Sequence, residues 1–174
     1  MGWKNFKEKY SINHQVQIDQ GELSIGSGYV PNLATVSLRT GVVSENQSFS
    51  GFLREYYPKL LEATSAEILE SLNAPDTFTA HIVVYTYEKG EVLEKICEVP
   101  GYPNLTHDGC MMYQNTYSTN KAEVVAWAKN NTSLGIKYTL EEVARREKEL
   151  EEARTRLAQY EKEHAALTRD YPSA

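Results

Sequence analysis

The sequence predicts an α+β fold: an antiparallel sheet of about five to seven strands, short helices on one face, and a long C-terminal amphipathic helix. Three observations predict it. Strand-favouring residues alternate between two rows in several blocks, most clearly across Thr79–Tyr87. Residues 48–75 carry helical spacing with helix-start signals. Stepping by seven from Ile136 gives Val143, Leu150, Leu157 and His164, and the companion series is Thr139, Arg146, Ala153, Tyr160 and Leu167.

Along the chain, His14, Val16 and Ile18 alternate with Gln15, Gln17 and Asp19, and the alternation resumes at Leu23 and Ile25 after Gln20-Gly21, which is a hairpin pattern. Gly26-Ser27-Gly28 interrupts it with a bend and lacks the Lys-Ser/Thr pair of a phosphate loop. Ala34–Leu38 and Val42-Val43 around Thr40-Gly41 predict a second tight pair.

Ser48 or Ser50 is placed to cap a helix bearing Phe52, Leu53, Tyr56, Tyr57, Leu60 and Leu61, which Pro58 must kink or restart because it removes a donor. Thr64 with Glu67 forms a capping box ahead of Ile68, Leu69 and Leu72, and Asn73-Ala74-Pro75 ends that helix. These helices supply an apolar face for the sheet.

Thr79–Tyr87 is rich in strand formers on both rows and is expected to be central. Glu88-Lys89-Gly90 turns it into Val92–Val99, and a further strand is expected over Cys110–Tyr117. Asn120 with Glu123 starts a short helix carrying Val124, Val125, Trp127 and Ala128, with Asn130-Asn131 as its stop. The long helix is then expected over Thr139–Leu167, opened by Thr139 with Glu142 and ended near Tyr171-Pro172. The chain thus divides into a globular part, 1–135, and a helical association segment, 136–174.

Charge narrows the functional classes. The net charge is −6; residues 1–135 hold 10 basic and 15 acidic side chains, and residues 136–174 hold 8 and 9. A mildly negative globular part disfavours phosphate backbones and anionic membranes, so neither nucleic acid nor membrane is an expected partner. Tyr85, Tyr87, Tyr113 and Tyr117 lack the surrounding cations that base stacking needs. No stretch approaches the roughly 20 apolar residues of a membrane span, and a cytoplasmic location is the expectation.

The loop Pro100–Gly109 gathers Tyr102, Asn104, His107 and Asp108 beside Cys110, and is the best local candidate for a site. A Cys110 nucleophile with His107 as base is the enzymatic alternative. Adjacent residues in a turn are a poor source of such a pair, and Asp108-Gly109 is an ordinary turn dipeptide. Cys97, Cys110, His14, His81 and His107 share no ligand spacing, so neither a metal nor a cofactor is expected.

The heptad seam offers Val143, Leu150, Leu157, Tyr160 and Leu167 to a partner. Three arrangements satisfy it: a second copy of the chain, another protein of unknown identity, or the chain's own sheet. The expectation is a non-enzymatic protein-binding module that forms a homo-oligomer through this helix, in the manner of a phage or mobile-element accessory factor that inhibits a host complex. A structural protomer using the helix as a packing strut is a further alternative.

Overall fold

Two-residue turns set the register of most of the sheet structure. In a computed structural model, which describes residues 2–172, strands β1 (Gln15–Asp19) and β2 (Glu22–Gly26) pair antiparallel from Asp19↔Glu22 to Gln15↔Gly26. Gln20 and Gly21, both at positive φ, form the type I′ turn between them. β3 (Ala34–Ser37) adds to β2 and β4 (Val43–Glu45) to β3, giving a four-stranded sheet in the order β1-β2-β3-β4. β5 (Ile82–Glu88) and β6 (Glu91–Cys97) form a separate two-stranded ribbon, again around two positive-φ residues, Lys89 and Gly90.

The α+β class, the antiparallel pairing and the long C-terminal helix are those the sequence predicts. The single sheet of five to seven strands is not: the strands divide into sheets of four and two. The reason lies at the ribbon's edges. Outside β5, Tyr85 and Ser118 exchange both backbone hydrogen bonds (2.8 and 3.1 Å). Outside β6, the Ile96 carbonyl accepts from the His107 N–H at 2.7 Å, and Cys97 bridges Thr106. Irregular backbone thus fills the donors and acceptors that a neighbouring strand would use, so Thr79–Tyr87 is not central.

The expected strand Cys110–Tyr117 is also absent. Tyr113 N–H donates to Met111 O and Thr116 N–H to Tyr113 O, while Asn115 sits at φ 60°, so the segment turns instead of extending. It still delivers Met112 to a small core with Val84 and Cys97, against which Tyr117 packs.

An N-terminal helix, α1 (Trp3–Lys9), precedes the sheet; its Phe6 and the following Tyr10 enter the core. Asp76, far along the chain, accepts from the Lys4 and Asn5 N–H groups (3.0 and 2.8 Å), satisfying donors that a helix start leaves open. A 3₁₀ turn at Gln47–Phe49 leads to α2 (Phe52–Tyr56), α3 (Pro58–Glu62) and α4 (Ser65–Asn73). Pro58 restarts the helix as expected, and the Thr64–Glu67 capping box forms in full. The cap of α2 differs. Neither Ser48 nor Ser50 serves; the Glu45 carboxylate accepts from Leu53 N–H at 2.6 Å and Gly51 N–H at 3.3 Å.

The main core lies between the four-stranded sheet and these helices, where Phe6, Leu23, Ile25, Val36, Leu53, Leu60 and Ile68 are almost wholly buried. The chain divides into two compact units, Met1–Trp127 and Ala128–Ala174.

A single helix, α5 (Lys121–Asp170), runs for 50 residues. Asn120 caps it by accepting from Ala122 N–H at 3.0 Å. The expected stop at Asn130-Asn131 and fresh start at Thr139 do not occur. Asn costs a helix only about 0.7 kcal/mol relative to Ala, whereas a second nucleation is far less favourable than propagation. Thr132 accommodates itself by donating to Ala128 O at 2.8 Å within the helix. Among the described residues, no helix is long and apolar enough to cross a membrane.

Candidate functional site

The loop residues expected to make a site are held apart by their own hydrogen bonds. Gly109 sits at φ +86° with its Cα against Ile18, where an added Cβ would come within 2.6 Å of Ile18 Cδ1. Its carbonyl accepts from Ile18 N–H at 2.8 Å, fastening the loop to the free edge of β1. Thr106, fully buried, donates from Oγ1 to Asp108 and accepts from Cys110 N–H at 3.0 Å.

His107 turns one way from this knot. Its ring lies flat on Phe78 and edge-on to His81. Nε2 is 3.1 Å from Ala80 O, and because a carbonyl only accepts, Nε2 carries the proton. Its backbone carbonyl accepts from Trp3 Nε1 at 3.0 Å. Burial lowers the imidazole's pKa against the counteracting bond to Ala80.

Asp108 and Cys110 turn the other way. Burial opposes ionisation of Asp108, but Lys95 and Thr106 outweigh it and hold the carboxyl below its usual range. The Cys110 thiol is pushed up, first by burial and then by the Asp108 charge. Burial does the same to Cys97. Tyr117, beside this group, is pushed up to about 12 by burial and by the charges of Cys110 and Asp108. These surroundings oppose a thiolate.

Asn104 is a turn residue: its N–H and its Nδ2 both donate to Gly101 O at 2.9 Å. Tyr102 is exposed. Its ring stacks on Tyr113 (centroids 6.2 Å apart), and Tyr113 donates from its hydroxyl to Gln17 Oε1 at 2.7 Å. The two tyrosines wall a cleft of about 150 Å³ floored by Met111 and bounded by Val16 and Gly26–Gly28. Nothing local in the sequence signals that Tyr113 and Gln17, 96 positions apart, share it. Among the described residues, no three His, Cys, Asp or Glu side chains gather as metal ligands.

A second neglected cluster surrounds His14. Tyr57 OH accepts from the N–H groups of Asn13 (3.2 Å) and His14 (3.1 Å), so its own proton goes to His14 Nδ1 at 2.5 Å. Phe52 and Tyr56 flank the same ring. With the hydroxyl and Nδ1 both engaged, this cluster ties the entry of β1 to the junction of α2 and α3.

The seam residues of α5 contrast with the loop. Val143, Leu150, Leu157, Tyr160 and Leu167 are between 46% and 66% exposed. Ile136 is exposed as well. Around them, Arg145 and Arg146 each pair with Glu142 and Glu149 one turn away, so the charged flank is internally satisfied while the apolar stripe is bare.

Comparison with known proteins returned no matching family model, no matching curated protein and no matching solved structure.

Proposed function

We propose that this chain is a non-enzymatic protein-binding module that associates with itself through its segment 136–174, using the part that lies in α5. The observation that carries the reading is the bare apolar seam from Ile136 to Leu167 on a helix where Glu142, Arg145, Arg146 and Glu149 already pair among themselves. A helix isolated in water gains little from such a stripe; covering it is what the stripe offers.

The energetics set the scale. A pair would cover Ile136, Val143, Leu150, Leu157, Tyr160 and Leu167 on both copies, each about half in water and worth on the order of 1 kcal/mol. Association costs about 4–15 kcal/mol. Set against the low end of that cost, the surplus is about 8 kcal/mol, which corresponds to pairing in the micromolar range, concentration-dependent rather than permanent.

Sedimentation velocity of the full chain from about 1 to 300 μM tests this. A rise in weight-average mass toward twice 19.7 kDa is expected. A monomer throughout that range would overturn it.

The strut reading has its own support. The crossed pairs among Glu142, Arg145, Arg146 and Glu149 stiffen the helix without any neighbour. Homogeneous particles larger than a dimer in the same sedimentation series would favour that reading.

A further inference from the structure

Self-association alone leaves the direction of the pair open, and the order of residues along α5 decides it. We infer that two copies pair antiparallel, aligned so that Leu150 of one lies against Ala153 of the other; this rests on the self-association proposed above.

In a parallel pair each seam residue meets its own copy. Arg146 then faces Arg146 in the middle of the seam, and His164 faces His164. Tyr160 also meets Tyr160, while Ala153 meets Ala153, so wide layers alternate with narrow ones. Two Arg146 side chains then share one layer, so neither stem has an apolar partner across the seam and the two cations lie closer together than in the antiparallel pair.

In the antiparallel pair the two heptad series face each other. The layers become Ile136 with Leu167, Val143 with Tyr160, Leu150 with Ala153, Leu157 with Arg146, and His164 with Thr139. Large meets small in the central layers, and the outermost layers are wholly aliphatic. Arg146 lays its stem along Leu157 while its guanidinium stays outside, where it already bonds Glu142 (Nε, 2.9 Å) and Glu149 (Nη1, 3.1 Å).

The flanking charges do not discriminate. Antiparallel pairing brings Glu149 to Arg156 and Glu147 to Arg154, against one like pair, Glu142 with Glu163. Parallel pairing brings Glu149 to Arg154 and Arg156 to Glu161, against Glu142 with Glu147. The seam therefore decides, through Arg146. This alignment also overlaps the whole stripe, because its first residue, Ile136, meets its last, Leu167.

Cross-linking between differently tagged full-length chains tests the direction. One carries Ile136→Cys and the other Leu167→Cys, mixed at a concentration where sedimentation shows the pair, and treated with a bis-maleimide linker of short span. The two positions are about 47 Å apart along one helix, beyond such a linker. The unmodified chain, treated alongside, accounts for Cys97 and Cys110. Mixed 136–167 products are expected to exceed same-site products about tenfold. A second pair, Leu140→Cys with Glu161→Cys, leaves the seam intact and should also give mixed products. Dominant 136–136 and 167–167 products would overturn the direction and leave self-association standing. A native chain that stays monomeric would overturn both.

Discussion

Phe78 and His107 stack face to face, their ring centroids 3.7 Å apart and their planes within 4°. With Trp3 bonded to the His107 carbonyl and the His107 ring bonded to Ala80, that stack bolts the 100–109 loop to the start of the ribbon and to α1. The most reactive-looking residue of the loop is therefore a fastening. Its removal should be felt as lost stability.

His107→Ala forfeits an aromatic stack worth about 0.5–1.5 kcal/mol and a hydrogen bond worth about 1 kcal/mol. A loss of about 2 kcal/mol is expected in urea unfolding, read as a lower midpoint at unchanged slope. A variant as stable as the native chain would show that the stack contributes nothing.

The same residue gives a pH signature. Burial, foremost, lowers the His107 pKa below its ordinary 6.5 in the folded chain. The unfolded state therefore binds the proton first, and stability is lost as pH falls from about 6.5 toward the lower folded value. His107→Phe keeps a ring against Phe78 and removes the titration. Its stability should fall less steeply with acid than that of the native chain, measured by urea unfolding from pH 7.5 down to pH 5.

Glu98 works in a separate window. Thr79 N–H at 2.6 Å and Lys4 Nζ at 2.9 Å draw its carboxyl down to about 2. A carboxylate lowered on folding contributes stability that is whole above its ordinary range near 4.5 and is lost as pH falls toward 2. Glu98→Gln should flatten the acid limb of the stability curve between those values while leaving the limb near neutrality in place. An unchanged acid limb would mean that Lys4 and Thr79 do not hold the carboxylate in solution.

What the sequence made legible was local. Gln20-Gly21, Lys89-Gly90, Pro58 and the Thr64–Glu67 box act through residues within a few positions of one another, and each forms as read. What it concealed was distant. Asp76 starting α1, Glu45 capping α2, Ser118 closing the edge of β5 and Tyr113 reaching Gln17 each join segments that no periodicity connects. The ribbon's separation from the main sheet follows from such contacts, which is why Thr79–Tyr87 reads as a central strand by composition. The loop was legible as a cluster of reactive types, but not the opposite directions in which His107 and Asp108 turn. The helix boundary failed differently, because Asn130-Asn131 is weakly unfavourable in a helix and the rest of α5 outweighs it.

Leu150 offers the most direct hold on the association. It lies at the middle of the seam and is half exposed in the single chain, so its replacement removes little from the fold itself. Leu150→Glu places a carboxylate in a layer that pairing would cover, where it must lose water without gaining a partner. The dissociation constant should weaken by at least about tenfold, since 1.4 kcal/mol suffices for that factor. Circular dichroism and the urea midpoint of a dilute sample should stay as in the native chain, because Glu is nearly as good a helix former as Leu. Sedimentation of native and variant chains across the same concentrations reads the difference, and equal masses at every concentration would show that the seam at Leu150 is not the surface through which the chains meet.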